Sequence, residues 1–91
     1  MFELLDFYAD WCGPCQMMLP IFMEVEKEMA GKLKFRKVNI DNEMEEAEKY
    51  GVMSVPTFVI TKNGEEIDRK VGAMPKEALK RWIEDNLELK L

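Results

Sequence analysis

The stretch DFYADWCGPCQMMLP, residues 6–20, holds both cysteines of the chain, Cys12 and Cys15, directly behind a tryptophan, Trp11. It also marks a change of period. Before it, FELLDFYA (residues 2–9) is a short apolar and aromatic run with a single acid, Asp6, and reads as a strand buried on both faces. After it, Met18, Ile21, Phe22, Val25 and Met29 recur at helical spacing, with Glu24, Lys27 and Glu28 on other faces, so a helix is expected from about Pro14 to Ala30. Gly31 closes that helix. The cysteine pair therefore falls where a first strand ends and a first helix begins.

Working outward, KLKFRKVNI (residues 32–40) alternates like a strand. DNEMEEAEKYG then reads as a helix capped by Asp41 or Asn42, with acids in its first turn and Gly51 at its exit. Two further strands, about 57–62 and 66–71, are joined through Asn63-Gly64, a dipeptide favoured in tight hairpins. The last helix opens with Pro75 in its first turn and puts Leu79, Trp82, Ile83 and Leu87 on one stripe. The order is β-α-β-α-β-β-α, with neither linker nor repeat. A helical crossover makes the first two strands parallel, and the hairpin adds antiparallel strands to the same sheet, in a sandwich of two or three layers.

Size and composition narrow the functional classes. A chain of 91 residues with 47% apolar side chains can bury a core as a single domain, residues 1–91, without staples. Two cysteines and no histidine are too few for a disulfide-built mini-fold or a four-ligand zinc site, so neither metal nor cofactor is expected. The net charge of −5 is spread over interspersed acids and bases, which favours solubility and disfavours nucleic acid. No apolar run has the length of a membrane span, and the first residues lack the pattern of a secretory leader. The expected setting is the cytoplasm.

At a helix start, unpaired backbone N–H groups and the positive end of the macrodipole stabilise an adjacent anion. Cys12 sits there, so its thiolate fraction rises. Gly13 leaves room for a partner backbone, and Pro14 fills a position whose N–H a helix does not use. Cys15, one turn further in, is expected to be the less exposed thiol. Cys12 is then the attacker and Cys15 the resolving thiol in exchange with a disulfide. The alternative is a pair of small buried hydrophobes. Trp11 beside the thiol offers an apolar docking surface, or is an ordinary aromatic.

Asp6 is out of place, because an ionised acid in a buried strand is costly unless paired or protonated. Its pKa is expected to rise, fitting it to accept the Cys15 proton directly or through water; the alternative is an acid at a strand end with access to solvent. Lys37, in the neighbouring strand, is its candidate partner or a surface lysine. Pro20 removes the hydrogen bond to the Gln16 carbonyl and is expected to kink the long helix.

Taken together, WCGPC after DFYAD, then VNID, SVPT, KNGE and VGA, stand in the order found in the thioredoxin family, which the sequence resembles over essentially its whole length. The resemblance implies a thioredoxin-like α/β fold with a four-stranded mixed sheet. It implies roles for Cys12 as nucleophile, Cys15 as resolving thiol, Asp6 as buried acid and Lys37 as its neighbour. It makes Pro56 a cis-proline facing the sulfurs, with the Val55 backbone free to pair with an extended substrate and Gly72 and Ala73 lining the same rim. Compared with the family, the usual first strand and helix are expected to be missing, which leaves one flank of the sheet less covered. Tyr8 replaces a common tryptophan. Gln16 replaces a common lysine or arginine, which removes a positive charge near the thiolate.

The function implied is reduction of protein disulfides by a cytoplasmic, monomeric dithiol oxidoreductase recharged by a thioredoxin reductase. A glutathione-linked, glutaredoxin-like reductase is the alternative of the same class, disfavoured by Gly13-Pro14 and by VGA in place of a double glycine. A non-catalytic binding subunit is the alternative of another class, with Met53 and Met74 beside Trp11 as its adaptable apolar patch.

Overall fold

The strand β1, Phe2–Tyr8, buries Leu4, Leu5, Asp6 and Phe7 in succession, so both of its faces are covered, as an unbroken apolar run requires. In the computed structural model, which describes residues 1–89, it is followed by α1 (Gly13–Glu28), β2 (Lys34–Asn39), α2 (Met44–Lys49), β3 (Thr57–Lys62), β4 (Glu65–Val71) and α3 (Lys76–Leu89). The sheet order is β2-β1-β3-β4. β2 runs parallel to β1, while β3 and β4 are antiparallel to their neighbours, as the helical crossover and the hairpin dictate. Asn63 and Gly64 both take positive φ, 52° and 88°, the backbone of a tight hairpin whose twist matches its strands.

The number of layers, open in the sequence, is settled at three. On one face Leu4, Phe58 and Ile60 pack against Met18, Phe22 and Val25 of α1, Met29 at its C-cap, and Leu79, Trp82 and Ile83 of α3. On the other, Leu5, Phe7, Val38 and Val59 meet Ala47, Tyr50 and Val52 in and after α2. Since side chains alternate along a strand, consecutive Leu4 and Leu5 feed separate clusters. The second face has the thinner cover, because α2 is six residues long and has no fully buried side chain.

Two boundaries differ from the sequence reading. Neither Asp41 nor Asn42 caps α2, which starts at Met44 with Glu43 in the cap position and no side-chain cap bond. Instead, the Asn39 carbonyl accepts the Asn42 and Glu43 N–H groups at 3.1 and 2.8 Å, and its Oδ1 accepts the Asp41 N–H at 2.9 Å. A turn at the end of β2 thus takes up the residues that would have begun the helix. At the other end of α1 the helix closes at Glu28, before Ala30, because the chain turns through Gly31 at φ 87°. α1 runs continuously through Pro20.

The helix α3 is fixed to β4 by a polar clamp. Asp68 Oδ2 accepts Trp82 Nε1 at 2.8 Å and Asn86 Nδ2 at 3.0 Å, and both donors belong to nearly buried residues. Surface ion pairs of Lys76 with Glu24 and Glu28, and of Lys80 with Glu28, join α1 to α3 but add little each, about 0–1 kcal/mol. Asp68→Ala strands two donors and is expected to lower stability in equilibrium urea unfolding by about 2–3 kcal/mol, whereas Asp68→Asn, which keeps an acceptor oxygen, loses clearly less. Equal losses in the two variants would exclude the clamp.

Candidate active site

The turn from β1 into α1 is built by its own backbone. Cys12 N donates to the Ala9 carbonyl at 3.2 Å, and the Cys12 carbonyl accepts Gln16 N at 3.1 Å. Cys12 becomes the N-cap of α1 in an extended conformation, where its Sγ accepts the Cys15 N–H at 3.2 Å. A sulfur thus takes the place that a serine or aspartate oxygen commonly fills at a helix start. Cys12 and Cys15 are joined as a disulfide, with Cα atoms 5.2 Å apart. Ala9, Tyr8, Ile40 and Val55 pack around them.

The expected difference in burial is slight: Cys15 is 4% exposed and Cys12 5%, so both are buried. The reason is tertiary: the loop carrying Val55 closes over Cys12. What separates the two sulfurs is the donated Cys15 N–H, which serves Cys12 alone of the pair.

The opposing rim has three fastenings. The Val55–Pro56 bond is cis, and the Val55 carbonyl oxygen lies 3.7 Å from Cys12 Sγ. Thr57 Oγ1 donates to the Ser54 carbonyl at 2.6 Å, and Gly72 N donates to the Pro56 carbonyl at 2.8 Å. Gly72 adopts φ 100°, a conformation that disfavours any residue with a Cβ, so its glycine is required by the backbone. Ala73 follows it on the surface, and Met74 N donates to Met18 Sδ at 3.3 Å, which ties the rim to α1. Gly13 and Pro14 are exposed, and a Cβ on Gly13 would meet nothing within 4 Å.

Two contacts were not read from the sequence. Trp11, 69% exposed, donates its indole N–H to Asp41 Oδ2 at 3.0 Å. Gln16 Nε2 donates to the Asp10 carbonyl at 3.3 Å. The tryptophan beside the cysteines is thus held from β2's exit turn and its loop from α1. The available signal was NID at the end of a strand, where Asn39 makes the turn that delivers Asp41.

Asp6 lies on the α1 side of the sheet, in line with Leu4, and is 2% exposed. Its Oδ1 is buried without a hydrogen-bond partner among the described residues. Burial pushes its pKa up from 3.8 to about 7, against a smaller downward pull from Lys37. Lys37 is its register neighbour on β2, but points to solvent and makes no ion pair with it among the described residues.

An unfolded chain ionises Asp6 near 3.8, whereas the folded chain keeps the proton to about 7. Folding therefore takes up a proton between those values, so this group's effect is a loss of stability as pH rises from about 4 to about 7, with a plateau above. Roughly three pH units at about 1.4 kcal/mol each put the loss on the order of 4 kcal/mol. Asp6→Asn is expected to be more stable than the parent at pH 8, with the gap closing at pH 4, in denaturant unfolding of the disulfide form. Lys37→Met is expected to move the Asp6 midpoint upward, as read from its carboxyl carbon by NMR. An unmoved midpoint would show that Lys37 does not act on it.

Comparison with known proteins agrees with this geometry. Residues 2–85 match the family model described as Thioredoxin. Thioredoxin of Bacillus subtilis (strain 168) is 48% identical over 84 residues, which cover 92% of this chain and 81% of that protein. The chloroplastic M-type thioredoxin of Pisum sativum is 49% identical over 81 residues, covering 89% of this chain and 47% of that protein. Among solved structures, a single-site mutant of thioredoxin from Halobacterium salinarum NRC-1 superposes with a TM-score of 0.84 at 39% identity, covering 92% of this chain and 73% of that one. A sulfur-capped helix, a paired second cysteine and a match across nearly all of its length place this chain in the thioredoxin family, as a thiol-disulfide oxidoreductase.

Proposed function

We propose that the protein reduces disulfides in other proteins, with Cys12 as nucleophile and Cys15 as resolving thiol. The observation that carries this reading is the Cys15 N–H donated to Cys12 Sγ at the first turn of α1. In the reduced protein the same N–H group, with the end of the helix dipole, favours the Cys12 thiolate. That thiolate attacks one sulfur of the substrate disulfide, the other substrate sulfur leaves as a thiolate, and a mixed disulfide joins Cys12 to the substrate. Cys15 then gives up its proton, attacks Cys12 Sγ and releases the substrate as a dithiol. The Cys12–Cys15 disulfide that remains holds the two electrons' worth of oxidation taken from the substrate.

Asp6 is the proposed acceptor of the Cys15 proton. A carboxyl with a pKa of about 7 is divided between acid and base at neutral pH, which suits it to take a proton in one half of the cycle and return it in the other. Lys37 tunes that pKa. The substrate is held in an extended form beside the main chain of Val55, over Trp11, Gly13 and Pro14, with Pro56, Gly72 and Ala73 forming the far side. Main-chain pairing of this kind accepts many sequences.

Electrons return to the pair from an external donor, for which a thioredoxin reductase is the proposed partner. The protein is proposed to act as a single-domain monomer in the cytoplasm. Among the described residues no helix is long and apolar enough to cross a membrane.

In turbidimetric reduction of insulin with dithiothreitol, Cys12→Ser is expected to abolish the rate above the dithiothreitol background. Cys15→Ser is expected to accumulate a covalent Cys12–substrate adduct, visible by mass spectrometry. A Cys12→Ser variant as fast as the parent would refute the mechanism. Retention of cellular activity by a variant with both cysteines changed to serine would assign a binding role instead.

A further inference from the structure

The eight methionines divide sharply by environment. Met18 and Met29 are 1% and 2% exposed, and Met18 Sδ is already engaged by the Met74 N–H. Met53 and Met17, by contrast, are 94% and 70% exposed. These two lie on separate elements, each a few residues along the chain from a part that borders the disulfide. Met53 lies two residues before Val55, whose carbonyl oxygen is 3.7 Å from Cys12 Sγ. Met17 lies one turn along α1 from Gly13 and Pro14, in the same row on the helix surface. A thioether placed at a docking rim, open to solvent, is both a flexible apolar contact and an accessible nucleophile.

We propose that Met53 and Met17 are oxidation sites through which hydroperoxides weaken docking of protein disulfides; this rests on the protein-disulfide reading given above. The sulfur lone pair attacks one oxygen of the hydroperoxide, the O–O bond breaks, and a sulfur–oxygen bond forms. The departing oxygen takes a proton and leaves as water, or as an alcohol from an organic hydroperoxide. Sulfur loses two electrons and the peroxide gains them. In the disulfide form, Cys12 and Cys15 present no thiol to compete for the oxidant. The product sulfoxide is polar and chiral, so it disrupts an apolar contact surface while leaving the sulfur pair unchanged.

The consequence is a split between binding and chemistry. A small aromatic disulfide needs only the sulfurs, whereas a protein disulfide must also settle against the rim. Met23, 54% exposed and six residues beyond Met17 on α1, lies about 9 Å further along the helix and serves as a control.

The test treats the disulfide form with hydrogen peroxide, stops with catalase, and maps added oxygen by peptide mass spectrometry before reduction and assay. Met53 and Met17 are expected to be modified ahead of Met18 and Met29. KM for insulin is expected to rise about three- to tenfold, with kcat and the rate on a small aromatic disulfide held. The double variant Met17→Leu, Met53→Leu, compared with its own untreated form, is expected to lose the peroxide effect, and Met23→Leu to keep it. Unchanged KM after complete Met53 and Met17 oxidation, or a peroxide effect that survives in the double variant, overturns the proposal. An untreated parent that reduces the small disulfide but not insulin overturns the protein-disulfide reading itself, and is told apart because it fails before any peroxide is added.

Discussion

A sulfur seated at the first turn of a helix is the interaction on which the rest of this structure depends. The free N–H groups of a helix start require an acceptor, and Cys12 Sγ supplies one to Cys15 N. The same bond puts the second cysteine one turn into α1, with the Cα atoms 5.2 Å apart, inside the range a disulfide spans. One local device thus satisfies the helix and fixes the spacing for closure of the pair, and in the proposed mechanism it also favours the Cys12 thiolate. The sheet and core hold that device in place: β1 enters the turn buried on both faces, and Met18, Phe22 and Val25 anchor α1 behind it.

The buried acid of β1, Asp6, works against the fold. A carboxyl below α1 weakens the fold whenever it must ionise, and the nearest opposing charge, on Lys37, stays in solvent where it compensates poorly. A packed apolar side chain at this position would serve the core better. A pKa of about 7 suits the proton transfer proposed for it at neutral pH.

Around this centre the rim is assembled from distant parts of the chain. Val55 comes from the loop before β3, Gly72 and Met74 from the loop after β4, and Trp11 from the turn before α1. Bonds between these parts, Gly72 N to the Pro56 carbonyl, Met74 N to Met18 Sδ and Trp11 Nε1 to Asp41 Oδ2, make them one surface. Beside the parts held by backbone bonds, the thioethers of Met53 and Met17 are exposed.

Local physics alone placed the elements. An unbroken apolar run at Leu4, Leu5 and Phe7, helical spacing from Met18 to Met29, and Asn63-Gly64 are signals that act over a few residues, and the structure keeps each of them. The helix-start position of Cys12 and the anomaly of Asp6 were legible for the same reason. Relations across the chain were not. The equal burial of Cys12 and Cys15 depends on the Val55 loop 43 residues from Cys12, and Asp41 became the partner of Trp11, 30 residues away, instead of a helix cap. The third layer likewise depended on α2 folding back over Phe7 and Val38. Periodicity reports which face of an element is apolar, but only the closed sheet decides what that face meets, because the choice is made by packing between segments that share no local signal.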